Sequence, residues 1–179
     1  MDSPRLIAIS GTPGCGKTTL CDLLEKEGFA VESVADLAKR FDCLGVEDPE
    51  DGAAPVDVHK LADLWHDDSE GVVFVDGHLS HLLEVEAIVV LRCQPDALQA
   101  RLEQRGYNET KVRANVEWEM IAGTWSELLE FELELPVLEV DATETAASTL
   151  SAEILEWVHL GCPSDGVEAL ATEAIDWLG

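Results

Sequence analysis

A chain of 179 residues suits a single domain, long enough to bury about 70% of the surface that the unfolded chain exposes. With 37 acidic residues against 11 basic ones the formal charge is -26, and no Lys/Arg-rich stripe is present to release counterions from a phosphate backbone, which argues against direct binding of free nucleic acid. No apolar stretch approaches the length of a membrane span, and Met1-Asp2-Ser3-Pro4-Arg5 runs into the first strand without a signal peptide, so a cytoplasmic protein with no membrane contact is expected.

So large a charge opposes compaction by self-repulsion unless it is screened. At about 1 M salt the Debye length is only about 3 Å, so the composition suits a cytoplasm with molar salt, as in a halophile; an acidic protein of ordinary salt adaptation is the alternative. The same surface fits a basic protein partner. Cys15, Cys21, Cys43, Cys93 and Cys162 show no C-x-x-C spacing and no secreted context, so they are read as reduced, outside disulfides and zinc sites.

In chain order, Leu6-Ile7-Ala8-Ile9 has the character of a buried parallel strand. Gly11 to Thr19 then matches the phosphate-binding pattern G-x-x-x-x-G-K-[ST] at Gly11, Gly16, Lys17 and Thr18, and Thr19 to Lys26 has helical spacing. Strand, glycine loop and helix stand in the order that such a loop requires. Glycines let several backbone N–H groups converge on one phosphate, Lys17 bridges the β- and γ-phosphates, and Thr18 supplies a hydroxyl for Mg²⁺ at the positive end of the helix. Cys15 lies inside this loop, either as a thiol activated by the helix terminus or as a small filler.

Gly28 to Val34 reads as a turn and second strand, Ala35 to Phe41 as a short helix, Val46 to Pro55 as a mobile loop, and Val56 to Trp65 as a helix. Val72 to Asp76 is an apolar strand ending in a carboxylate, and Ala87 to Leu91 is another, ending at Arg92. Pro95 to Arg105 is helical, Gly106-Tyr107-Asn108 interrupts, and Glu109 to about Phe131 reads as one long helix. Pro136 to Val140 is the fifth strand and Ala146 to Trp157 packs after it. These elements predict an α/β domain over 1–160, a five-stranded parallel sheet with helices on both faces. Residues 161–179 read as a linker and a terminal helix, Val167 to Leu178, without an assigned role.

In open α/β sheets ligands lie beyond the carboxyl ends of the strands, which brings Asp76 and Arg92 towards the phosphate loop. Asp76 stands where a Walker-B acid holds Mg²⁺ directly or through water. His78 either orients or deprotonates a water, steers a phosphoryl acceptor, or caps the turn; His81 reads as surface or packing. Arg101 and Arg105 share a helix face, as arginines closing over a triphosphate would, or they pair with local acids. Lys39 and Arg40 follow the second strand, where a nucleoside monophosphate needs a cation, and equally suit a solvated face.

Gly-Thr-Pro-Gly-Cys-Gly-Lys-Thr-Thr (11–19), Val-Ala-Asp-Leu-Ala-Lys (34–39), Val-Asp-Gly-His (75–78), and Leu91-Arg92 through the run 101–116 together resemble the small adenylate-kinase-like ATPase family of archaea and the eukaryotic nucleus that assists small-ribosomal-subunit maturation. The similarity runs from about Ile7 to Glu119, and Arg105 to Glu109 is its most specific stretch. The resemblance implies a P-loop kinase three-layer fold with a monophosphate-binding region at about 33–56 and a lid at about 104–114. It implies ATP contacts at Gly14, Gly16, Lys17, Thr18 and Thr19, Arg105 as the lid arginine, and an Asp-x-His match at Asp76 and His78. Together with the loop pattern this sets the expected site: ATP contacts that add Cys15 and Arg105, catalytic roles for Lys17, Asp76, His78 and Arg105, and Mg²⁺ at Thr18 and Asp76, partly through water. AMP contacts are expected at Lys39, Arg40 and Arg92. The implied reaction is ATP and AMP to two ADP, with ATP hydrolysis, and the implied partners are a small-subunit ribosomal protein and the pre-ribosomal small subunit. An ATPase assembly switch with incidental kinase activity and a kinase for another small acceptor remain as alternatives. Lys39 stands where relatives often carry arginine, Gly77 where they are often aromatic, and the terminal helix looks like an addition.

The charge yields the first expectation. Melting temperature should rise steeply with KCl in thermal unfolding; equal stability in dilute buffer removes the salt-adapted reading.

Overall fold

Two apolar runs decide the architecture, because a strand that is apolar at successive positions has to be covered on both faces. They form β1 (Leu6–Gly11) and β4 (Ala87–Arg92), buried throughout and paired in parallel with Ile9 opposite Val89. The computed structural model describes residues 3–50 and 52–179. In it β3 (Val73–Asp76) pairs with the other edge of β1, β2 (Ala30–Ser33) lies outside β3, and β5 (Val137–Asp141) lies outside β4. The order is β2-β3-β1-β4-β5, all parallel.

Alternation along β1 splits the interior into two cores. Ile7 and Ile9 meet Leu20 and Leu24 of α1 (Lys17–Lys26), Leu98 and Leu102 of α4 (Pro95–Gln104), and Ile154 of α7 (Ala147–His159). Leu6 and Ala8 meet Leu37 of α2 (Val34–Arg40), Leu61 of α3 (Val58–Leu64) and Leu128 of α6 (Gly123–Glu130). The three-layer α/β fold expected from the sequence is the one observed. Among the described residues no helix is long and apolar enough to cross a membrane.

Side-chain caps start three of the helices. Ser33 accepts the Asp36 N–H before α2, Asp57 the Lys60 N–H before α3, and Asn108 the Lys111 N–H before α5 (Glu109–Met120). The segment expected as a mobile loop is pinned at its base by an antiparallel bridge between Leu44 and Val56. The Gly45 N–H reinforces it by donating to the Pro55 carbonyl at 2.8 Å.

Two expectations need correction. The long helix is broken, since α5 ends at Met120, Ala122 adopts a left-handed conformation (φ 53°), and α6 starts at Gly123. A Cβ on Gly123 would fall 2.1 Å from the Trp118 ring, so the reversal needs glycine there. The terminal helix is also shorter than read: α8 spans Val167–Glu173, the chain turns extended at Ala174, and Val167 and Leu170 join the second core.

The centre of the sheet leaves no room at the end of β1. A Cβ on Gly11 (φ 135°) would stand 2.4 Å from the Leu91 carbonyl oxygen of the neighbouring strand. Gly11→Ala should therefore cost about 2–4 kcal/mol in urea unfolding. An unchanged unfolding midpoint contradicts this account of the strand end.

Candidate nucleotide site

Between β1 and α1 the chain turns through Gly14 (φ 93°) and Gly16 (φ 100°), the latter capping α1 in a left-handed conformation. This aims the first N–H groups of a ten-residue helix out of the end of the sheet, a ready anion site. Lys17 is almost fully buried, and its ammonium donates to the carbonyls of Gly11 at 2.8 Å and Thr12 at 3.0 Å. Burial holds its pKa below the ordinary value, opposed by the Cys15 and Asp76 side chains.

Parallel pairing sets Asp76 opposite Ile9, so its side chain emerges beside the loop. The Thr18 hydroxyl donates to its carboxylate at 3.1 Å, joining the two residues expected at Mg²⁺. Burial raises the Asp76 pKa, while the Thr18 hydrogen bond and the Lys17 charge pull it down. A hydroxyl and a carboxylate are hard oxygen donors of the kind that Mg²⁺ takes alongside substrate phosphates.

His78 follows on the turn after β3. Burial, and then the Lys17 charge, push its pKa down to about 4, against the attraction of Glu127. It is thus a neutral imidazole at physiological pH. The turn is tied to β1, with Ser80 Oγ donating to the Ile9 carbonyl at 3.2 Å and Ser10 Oγ 2.6 Å from His81 Nδ1. His81 is buried, and its Nε2 lies 2.6 Å from Glu127 of α6.

Lys17, Thr18, Asp76, His78 and Arg105 line one cleft of about 370 Å³, which Ser33, Val34, Val56 and Tyr107 also line. A second cleft of about 210 Å³ lies beside Gly14, Cys15, Gly16 and Thr19, and Arg105 lines both. Arg101, one turn earlier, also lines the second cleft, and donates to the carbonyls of Thr143 at 2.7 Å, Ala142 at 3.0 Å and Gly14 of the loop at 3.4 Å. The stretch expected as a lid, about 104–114, is a tight turn followed by the start of α5, and in the turn Arg105, Gly106 and Tyr107 donate their N–H groups back into α4.

Other expected residues fall elsewhere. Lys39 and Arg40 are exposed on α2 and absent from the cleft lining; Arg40 pairs with Glu32 at 3.4 Å and covers the Phe41 ring. Arg92 is turned away from the cleft and is 1% exposed, paired with Glu119 and Glu139, each at 2.8 Å. Burial disfavours its charge, but the two carboxylates outweigh that and raise its pKa. An arginine so enclosed does not reach an AMP phosphate. Cys15 is fully buried, its thiol pushed up by contact with Cys93 and by burial, which fits the filler role over the activated one.

The family described as AAA domain matches residues 7–122. A protein of Archaeoglobus fulgidus named "Putative adenylate kinase" is 38% identical over 175 residues, covering 97% of this chain and 92% of its own. One of the same name from Methanocaldococcus jannaschii is 31% identical, covering 96% of each. This chain belongs to the P-loop nucleoside monophosphate kinase superfamily. Among solved structures, a shikimate kinase from Bacteroides thetaiotaomicron aligns with TM-score 0.56 at 16% identity, over 88% of this chain and 99% of its own. A gluconokinase from Sinorhizobium meliloti aligns with TM-score 0.54 at 17% identity, over 98% and 100%. These two share the P-loop kinase fold.

Sequence reasoning missed Ser10 and Glu127, which bracket His81 in this P-loop kinase, and Glu119. Gly123 inside a helical pattern was the available signal, because the break there turns α6 back towards β1. The depressed His78 pKa gives a signed expectation. The unfolded chain binds more protons than the folded one between about pH 4 and about pH 6.5, so this site loses stability as pH falls through that window. His78→Gln should lose less unfolding free energy than wild type between about pH 7 and about pH 4.5 in urea titrations. Equal losses place the acid sensitivity elsewhere.

Proposed function

We propose that this protein transfers the γ-phosphoryl group of Mg·ATP to AMP, giving two ADP, and hydrolyses ATP when water takes the acceptor's place. The observation that carries this reading is the convergence of Lys17, the Thr18–Asp76 pair and Arg105 on one cleft. The wall formed by Ser33, Val34 and Val56 gives an acceptor room beside the phosphate loop. Lys17 exchanges the carbonyls of Gly11 and Thr12 for phosphate oxygens, and the N–H groups of the loop and α1 hold the β-phosphate. Arg105 neutralises charge that builds on the transferred group, and neutral His78 offers a hydrogen bond to the acceptor or to a water. Thr18 and Asp76 hold Mg²⁺, which when bound neutralises phosphate charge. Catalysis is then positioning and electrostatics, the terms that dominate phosphoryl transfer.

One observation favours a second reading, an ATPase switch with incidental AMP phosphorylation. Among the residues lining the cleft the cations are Lys17 and Arg105, both committed to the triphosphate, while Lys39 and Arg40 lie outside it. A basic ribosomal protein, the partner implied by the family resemblance, suits a surface of charge -26.

Product analysis with Mg·ATP in molar KCl, with and without AMP, separates the two. ADP formed only with AMP and without free phosphate supports the kinase; phosphate release indifferent to AMP supports the switch. Under either, Lys17→Ala should lower turnover by at least about 100-fold. Retained activity removes the loop from the mechanism.

A further inference from the structure

The last turn of α5 places Glu119 between the phosphate loop and the C-terminal segment, and donors reach both oxygens of its carboxylate. Oε2 accepts the Thr12 hydroxyl at 2.6 Å. Oε1 accepts Arg92 Nε at 2.8 Å, the Cys93 N–H at 3.1 Å and the Trp177 indole N–H at 2.9 Å. Glu119 is 2% exposed.

The C-terminal segment closes this cluster. Beyond Ala174 the chain doubles back so that the Ile175 carbonyl accepts Arg92 Nη1 at 2.9 Å and the Ile175 N–H donates to Glu139 at 2.8 Å. The Trp177 ring covers the Arg92 guanidinium at 5.7 Å. At the far end, Thr12 is buried, and its carbonyl is one of the two that hold Lys17. An unbroken series of contacts therefore runs from the indole through Glu119 and Thr12 to the lysine of the loop.

A buried carboxylate takes its orientation from the balance of its donors: without the indole N–H, Oε1 is left to Arg92 and Cys93 alone, and Oε2 swings with it against its single donor, the Thr12 hydroxyl. We propose that Glu119 is a positioning residue for the phosphate loop, and that the C-terminal segment, through Trp177, is the strap that keeps it in place. The proposal rests on the reading of the loop as a nucleotide site and is independent of the acceptor. The terminal segment, without a role by sequence, thereby sets the geometry of Lys17 from the opposite end of the chain.

The test uses the full chain and two variants. Trp177→Phe keeps an aromatic ring for Arg92 while removing the indole N–H along with the second ring. Phe29→Leu loosens packing against Phe74 just before β2, away from both the loop and the C-terminal segment. Mg·ATP affinity by calorimetry and hydrogen exchange of the amides of residues 12–18 are read for both. Trp177→Phe should weaken Mg·ATP binding about fivefold to tenfold and speed exchange in the loop. Phe29→Leu should lower the melting temperature and leave both readouts unchanged. Wild-type affinity and wild-type loop exchange in Trp177→Phe overturn the proposal. Wild type that binds Mg·ATP but shows no AMP-dependent turnover removes the proposed acceptor and leaves the strap standing.

Discussion

The site hangs from the end of β1. That strand is covered on both faces and bonded along both edges, so its final carbonyls are firmly placed acceptors. The Ile9 carbonyl takes the Gly77 N–H at 3.3 Å and the Ser80 hydroxyl at 3.2 Å, which fixes the turn bearing His78. The next carbonyls, of Gly11 and Thr12, take Lys17. Asp76 is referred to the same strand by its register. The glycine loop, the Thr18–Asp76 pair and the histidine turn thus share one reference, and their mutual placement follows from backbone pairing.

The cleft has to attract a polyanion in a protein of formal charge -26. Screening resolves the conflict: at physiological ionic strength surface acids beyond about 8 Å contribute little, and at molar salt the limit shrinks to about 3 Å. On the proposed reading the attraction comes from groups that line the cleft, namely the loop with its backbone N–H groups, Lys17 and Arg105. Burial already holds the Lys17 pKa down, so an arriving phosphate relieves an unfavourable environment for its charge. Surface charge and site chemistry are separable, which lets the composition drift far into acid without loss of the loop.

What the sequence made legible is local. The strand, glycine loop and helix of residues 6–26, and an apolar strand ending at Asp76, carry their meaning in neighbouring residues, and the structure joins them through Thr18. Arg92 was misread because its partners are remote, with Glu119, Glu139 and Ile175 lying 27, 47 and 83 positions away. An arginine at the end of a buried strand has the same local appearance whether it meets a ligand or a carboxylate of its own chain. Lys39 and Arg40 sit on a seven-residue helix, too short for its pattern to show which side would face the cleft. His81 acquires its environment from α6, whose direction depends on the break at Ala122.

That break ties two carboxylates to two different parts of the site. Glu119, just before it, reaches the phosphate loop, and Glu127, just after it, reaches the histidine turn. Adding or deleting one residue on a helix turns everything beyond it by about 100°. Between positions 119 and 127 such a change would disengage one carboxylate or the other. Chain length there is held as tightly as residue identity, whereas the acidic loop between Leu44 and Val56, closed by its own bridge, can gain or lose residues without moving the site.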